Sequence, residues 1–215
     1  MAPRDFRTRL TRRAGKAGLF LADDLAERLG AYYELLSHRN RKINLTALDD
    51  PDAAIDRLLL EPVLAVRYLP AADIRLMDVG SGGGSPAIPM KLAAPGVSLT
   101  MVEVKARKSA FLREAIRVLE LDRTSVETSR YEELLARPEL HEAFDVLSLR
   151  AVRIEARTLF TLQAFVRAGG SLFLFRGPSR AETAPAPVPP LTFAANHDLV
   201  ESLQSKLTVL HKRSV

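Results

Sequence analysis

Four glycines fall within five positions at Gly80-Ser81-Gly82-Gly83-Gly84, directly after the short apolar run Arg75 to Val79 and before a helix-compatible stretch, Pro86 to Ala93. A chain that turns sharply out of a strand and into a helix needs backbone without side chains at the turn, which glycine supplies. The same grammar continues downstream. Apolar runs at Ser98 to Glu103, Thr124 to Thr128, Phe144 to Leu149 and Ser171 to Arg176 alternate with segments of helical spacing at Ala106 to Leu119, near Glu132 to Ala136, and at Arg153 to Val166. Strands and crossover helices in alternation predict an α/β fold, Rossmann-like and doubly wound, with a mostly parallel sheet. Gly177 to Pro190 holds five of the chain's 13 prolines and reads as a loop. Two further runs, Leu191 to Ala195 and Lys206 to His211, predict a C-terminal antiparallel hairpin.

Upstream of residue 70 the pattern is helical. Leu21, Leu25, Leu29, Tyr32, Tyr33 and Leu36 recur at helical spacing within Leu19 to Ser37. A second helix is expected after Pro51, which suits a first helical position behind Asp49-Asp50. The chain therefore divides into a helical N-terminal extension over residues 19–70 and a main domain over 71–215. Residues 1–16 carry Arg4, Arg7, Arg9, Arg12, Arg13 and Lys16 against Asp5, which accounts for the whole net charge of +5. Residues 1–18 thus read as a flexible basic arm suited to nucleic-acid phosphates, the alternative being a solubilising tail. With 47% hydrophobic residues in 215, the composition supports one sizeable core, and no run reaches the length of a membrane span. Cysteine is absent, which excludes disulfides, thiolate nucleophiles and cysteine-ligated metals. The expectation is a cytoplasmic protein without metal, acting as a monomer.

Ligands of an open α/β sheet bind beyond the carboxyl ends of its strands, and four such positions carry chemistry here. The glycine turn is the first. Nicotinamide and flavin enzymes use G-x-G-x-x-G/A, but counting from Gly80 and Gly82 places Ser85 at the third position, so the dinucleotide pattern fails. An acid two residues before G-x-G-x-G, here Asp78, is instead the form of class I methyltransferases; a tight strand-to-helix connection is the alternative. Glu103 is the second, 21 residues beyond Gly82, where a carboxylate can accept from both ribose hydroxyls of an adenosine. The third, Ser129-Arg130-Tyr131-Glu132, lies where an adenine edge is expected, and the same residues fit a helix capping box. The fourth is Arg150, past the fourth apolar run, where the methyl acceptor is expected. No N/D-P-P-Y/F/W motif stands there. An arginine suits guanine N7, which needs no deprotonation and whose neighbouring O6 accepts a hydrogen bond.

Taken in order, Asn40-x-x-x-Asn44-Leu45-Thr46-Ala47, Asp78 to Gly84, Pro86-x-Ile88-Pro89, Glu103 with Lys108-x-x-Phe111-Leu112-Arg113-Glu114, and Phe144-Asp145 with Arg150-Ala151 resemble the RsmG/GidB family between about Tyr32 and Gly177. The resemblance implies a class I S-adenosylmethionine-dependent methyltransferase with an N-terminal helical extension. Such an enzyme methylates guanine N7 in ribosomal RNA of the small ribosomal subunit and releases S-adenosylhomocysteine. It further implies that Gly80, Gly82, Gly84 and Glu103 hold the cofactor, that Tyr131 and Glu132 flank its adenine, and that Arg150 faces both cofactor and acceptor as the catalytic residue; Asp78, Ser81 and Ser85, in and beside the glycine turn, are expected to line the same cofactor site. Asn40 and Asn44, with Arg39 and Lys105, would shape the substrate mouth; the asparagines could equally be a helix C-cap and a turn.

The chain departs from the family pattern in four places. Arg39 stands where the family has tryptophan, Arg57-Leu58 replaces Arg-His, Glu61-Pro62 replaces Asp-Ser, and Ser85 replaces an aromatic residue of the cofactor pocket. These mark a divergent member. Two other functions stay open on the sequence: a class I methyltransferase with another RNA or small-molecule acceptor, and a non-catalytic RNA-binding assembly protein.

Overall fold

The computed structural model describes residues 3–47, 50–70, 73–150, 154–178 and 186–214, with side chains from Asp5 onward. The strands are β1 (Arg75–Val79), β2 (Ser98–Val102), β3 (Thr124–Glu127), β4 (Phe144–Arg150), β5 (Val166–Arg176), β6 (Leu191–Asp198) and β7 (Lys206–Lys212). They form one sheet in the order β3-β2-β1-β4-β5-β7-β6. The first five run parallel, and β7 is antiparallel to both β5 and β6, as the hairpin expectation required. The chain moves outward from β1 to β3 and then returns to lay β4 on the other side of β1. Their carboxyl ends therefore flank the crevice at which such sheets bind ligands.

Alternation along each strand loads both faces of the sheet. Leu76, Val146 and Phe173 belong to one apolar cluster, and Met77, Leu147 and Leu172 to the other. The first face is covered by α2 (Asp23–Ile43), α5 (Ala87–Ala93) and α6 (Ala106–Val118), with Leu29, Tyr32 and Leu36 of α2 in the same cluster as the strands. Helix α7 (Ala156–Leu162) covers the other face with Leu159 and Leu162. Helices α3 (Pro51–Ile55) and α4 (Glu61–Ala65) form one rod joined by a π turn at Asp56–Leu60. Asp50 caps α3 by accepting from Asp52 N at 3.0 Å, with Pro51 behind it.

Two expectations are corrected. Where residues 1–18 were expected to be a flexible basic arm, the described part holds a helix, α1 (Pro3–Lys16), because Phe6, Leu10 and Ala14 recur every fourth residue and bury one face against the extension; residues 1 and 2 lie outside the described residues. Four of its arginines pair with acids, although only Arg13 is well covered. Arg7 pairs with Asp23, Arg9 and Arg12 with Asp52, and Arg13 with both Asp52 and the buried Asp56. The helix expected over Arg153 to Val166 is also shorter, since Val166 already pairs with Phe144 in the sheet and β5 begins there. Its first residue, Arg153, lies outside the described residues.

Candidate active site

The glycine loop leaves β1 and folds back on the end of β2, where Gly80 N and Ser81 N both donate to the Val102 carbonyl at 2.9 and 3.1 Å. Gly80, Gly82 and Gly84 have positive φ, which L side chains rarely adopt. Gly83 is favoured for a different reason. A Cβ there would lie 3.0 Å from Leu36 Cδ1 and 3.3 Å from the Leu45 carbonyl oxygen, so a side chain at this position would push the loop and the helical extension apart by a few tenths of an ångström. Space is open on the other side, as a Cβ at Gly80 would meet nothing within 4 Å. Ser81 is buried and donates to the Asp78 carbonyl at 3.0 Å.

Glu103 is drawn to this loop. Its carboxylate accepts from Gly82 N at 2.9 Å and from Lys105 N at 2.8 Å, and its carbonyl accepts from Ser109 Oγ at 2.9 Å. These bonds fix the carboxylate at the end of β2, and its oxygens retain lone pairs for further donors.

Asp78, one residue before the end of β1, and Arg150, the last residue of β4, lie on adjacent strands. Asp78 is fully buried and accepts from Ser148 Oγ at 2.6 Å, and its second oxygen has no partner. Burial pushes its carboxyl above the usual carboxylate range, against the bond from Ser148 and the nearby Arg150 charge. Arg150 lies 2.6 Å from Glu61 Oε2 through Nη1, donates to the Arg57 carbonyl, and sits 5.0 Å above the Phe175 ring. Its Nε and Nη2 are buried with no partner. Burial pulls its proton affinity down, and Glu61 opposes that shift.

The remaining candidates are distributed around this centre. Tyr131 is half-buried beside Thr158 of α7, and burial raises its hydroxyl above the usual phenol range. Glu132 is exposed. The capping box does not close on Ser129 and Glu132: Glu133 reaches back to Arg130 N at 3.1 Å, one residue out of register, and Ser129 Oγ is left buried without a partner. Asn40 and Asn44 end α2, the first accepting from Leu45 N and Thr46 N at 2.6 and 2.8 Å, the second in the left-handed region at φ 49°. They serve as cap and turn. Arg39 pairs with Glu114 of α6 and so joins two helices, whereas Arg41, Lys42, Lys105 and Arg107 are exposed. Ser85 donates to the Leu58 carbonyl at 2.8 Å, tying the loop's end to the extension.

The residues present fit an adenosine-bearing cofactor. Asp78 Oδ2, Ser129 Oγ and two Arg150 nitrogens are buried polar atoms without partners, on or just beyond the carboxyl ends of β1, β3 and β4, and Glu103 stands at β2 between them. Among the described residues no group of His, Cys, Asp and Glu could hold a metal ion, and no helix is long and apolar enough to cross a membrane.

Two contributors, Tyr32 and Ser148, were not singled out from the sequence, and Glu61 was noted only as a departure from the family pattern. Tyr32 was counted only as an apolar helix position, yet a buried tyrosine demands a partner for its hydroxyl, and it donates to Gly83 O at 2.8 Å. Glu61 is a carboxylate directly after the run Leu58-Leu59-Leu60, a position that requires a paired charge if it is buried. Ser148 is the polar residue in the middle of an apolar strand.

A family model described as GidB, rRNA small subunit methyltransferase G, matches residues 25–209. A protein of Carboxydothermus hydrogenoformans named Ribosomal RNA small subunit methyltransferase G is 34% identical over 162 residues, covering 75% of this chain and 68% of that protein. A protein of the same name from Stenotrophomonas maltophilia is 38% identical over 158 residues, covering 74% and 68%. Among solved structures, a SAM-dependent methyltransferase from Aquifex aeolicus superposes with a TM-score of 0.58 at 15% identity, over 78% of this chain and 96% of that one. That likeness concerns the fold alone.

Proposed function

The chain belongs to the GidB family, rRNA small subunit methyltransferase G, and from that premise we propose that it transfers a methyl group from S-adenosylmethionine to N7 of a guanine in small-subunit ribosomal RNA. The observation that carries this reading is the row of buried polar atoms without partners along the crevice, with Glu103 set against the glycine loop. When bound, S-adenosylmethionine supplies a sulfonium-activated methyl group.

The side chains divide the work by position. Glu103 accepts from the ribose hydroxyls with the lone pairs that Gly82 and Lys105 leave free, and Gly80 to Gly84 give the cofactor an approach without side chains. Ser129, Tyr131 and Glu132 flank the adenine. Asp78 sits beneath the loop with one unpartnered oxygen toward a donor group of the cofactor. Arg150 carries two unpartnered donors at the acceptor side, which suit guanine O6 and leave the N7 lone pair free to attack. No general base is needed, so rate comes from holding the acceptor in line and close. The exposed cations Arg41, Lys42, Lys105 and Arg107 provide phosphate contacts.

The test is transfer of labelled methyl groups from S-adenosylmethionine to small subunits, naked ribosomal RNA and a small-molecule extract in parallel. Label in one of the RNA-containing samples is expected. Label confined to the small molecules, or none with cofactor demonstrably bound, contradicts the reading.

A further inference from the structure

The geometry points to Glu61 as the residue that positions Arg150, through a break in the helical extension that Pro62 enforces. The inference rests on the function proposed above, and its test separates the two.

At the π turn, Glu61 N donates to the Asp56 carbonyl, one residue further back than an α-helix allows. The Arg57 carbonyl thereby loses its α-helical donor, and the next residue along, Pro62, has no N–H to give. Arg150 Nη1 takes that carbonyl. The Leu58 carbonyl faces the same deficit, because its α-helical donor would be Pro62 itself, and Ser85 Oγ supplies the bond at 2.8 Å. One local defect thus presents two carbonyls to two parts of the site, the end of β4 and the end of the glycine loop.

Glu61 completes the arrangement. It is fully buried, its Oε2 is 2.6 Å from Arg150 Nη1, and its Oε1 is 3.4 Å from Arg57 Nη1. A buried guanidinium needs a counter-charge to stay in place, and Glu61 is its nearest carboxylate in ion-pair contact. Carboxylate and carbonyl both meet the guanidinium at Nη1, the carboxylate as an ion pair rather than an aligned hydrogen bond, and the Phe175 ring lies against its face, while Nε and Nη2 stay without partners. Glu61 acts through Arg150 and is a positioning residue.

The test is the single-turnover methyl-transfer rate of Glu61→Gln, which keeps the volume and removes the charge. A fall of about 100-fold is expected, the scale on which misplacement of an acceptor-orienting group acts, with the dissociation constant for S-adenosylmethionine nearly unchanged. Glu61→Asp should recover part of the rate. In an Arg150→Ala background the same Glu61→Gln change should cost nothing further. A wild-type rate in Glu61→Gln, or a loss that multiplies with that of Arg150→Ala, overturns the proposal. A second readout needs no acceptor: hydrogen exchange of the Arg150 Nε–H, assigned by its absence from Arg150→Lys. It should be slow in the wild type and fast in Glu61→Gln, and equal protection in both overturns the proposal even if the wild type methylates no RNA. Should Glu61→Gln not fold, Pro62→Ala restores the missing N–H, lets the helix withdraw the Arg57 carbonyl, and should lower both rate and protection. A fully active, fully protected Pro62→Ala then contradicts the device.

Discussion

Tyr32 Oη donates to the carbonyl of Gly83 at 2.8 Å, so the helical extension is bonded to the glycine loop where the two pass closest, with little room for a side chain between them. Burial keeps the phenol well above its ordinary range, and the hydroxyl remains a donor at any working pH. Tyr32→Phe leaves the Gly83 carbonyl unpartnered and is expected to cost about 1–3 kcal/mol in urea unfolding. Cofactor affinity should fall with it, because the loop loses one of its anchors. Unchanged stability and affinity would show that the bond contributes nothing.

Glu103 serves loop and ligand with the same carboxylate. Hydrogen bonds to a charged group contribute about 1.5–3 kcal/mol each, so Glu103→Ala should weaken S-adenosylmethionine binding by roughly 10- to 100-fold. Calorimetric titration reads this directly. RNA affinity, measured by filter retention, should stay near the wild-type value.

Asp78 makes stability depend on pH in a direction opposite to that of a salt-bridged acid. Burial raises its pKa above the unfolded value, so between the two the folded state binds the proton more tightly. Stability therefore falls as pH rises through that window, and above it the buried carboxylate remains a cost. Asp78→Asn should raise the melting temperature of the cofactor-free protein at pH 8, with the gain shrinking as the pH is lowered and wild-type Asp78 is protonated. Cofactor binding by the variant should be weaker at every pH. A variant less stable than wild type at pH 8 would mean that the Arg150 charge outweighs the cost of burial.

Arg13 anchors α1 to the buried Asp56, which also accepts from Ser202 Oγ at 2.5 Å. Arg13→Ala strands that carboxylate and should cost on the order of 3 kcal/mol by thermal or denaturant unfolding. Deleting residues 2–16 removes Phe6, Leu10 and Ala14 from the core as well and should cost more. The salt dependence of RNA binding should change little on deletion, since Arg7, Arg9, Arg12 and Arg13 already face acids. A markedly flatter slope would restore a phosphate role to this segment.

The strands were the most legible part of the sequence. Strands buried on both faces read as short apolar runs between turn residues, and β1 matches its expected bounds, Arg75 to Val79, at both ends. Helix limits were less so: α2 runs to Ile43 through Arg39-Asn40-Arg41-Lys42, whose polarity resembles a loop although its spacing does not forbid helix. Helix α1 was hidden by its arginines, which mask three apolar residues on one face and whose partner acids lie far along the chain. The glycine loop and Glu103 were legible through spacing. The Glu61–Arg150 pair was not, because no local pattern links a helix in the extension to the end of β4. The same contacts give two of the sequence departures a physical meaning: Ser85 supplies a donor to the residue-58 main-chain carbonyl, and Glu61-Pro62 binds or frees the groups that meet Arg150.

The central claim is the atom that receives the methyl group. Small subunits methylated with labelled S-adenosylmethionine, digested to nucleosides and separated by chromatography with mass detection, should place the label in 7-methylguanosine, at a much lower rate after Arg150→Ala. Label in another nucleoside, or on an exocyclic position of guanine, would contradict the account.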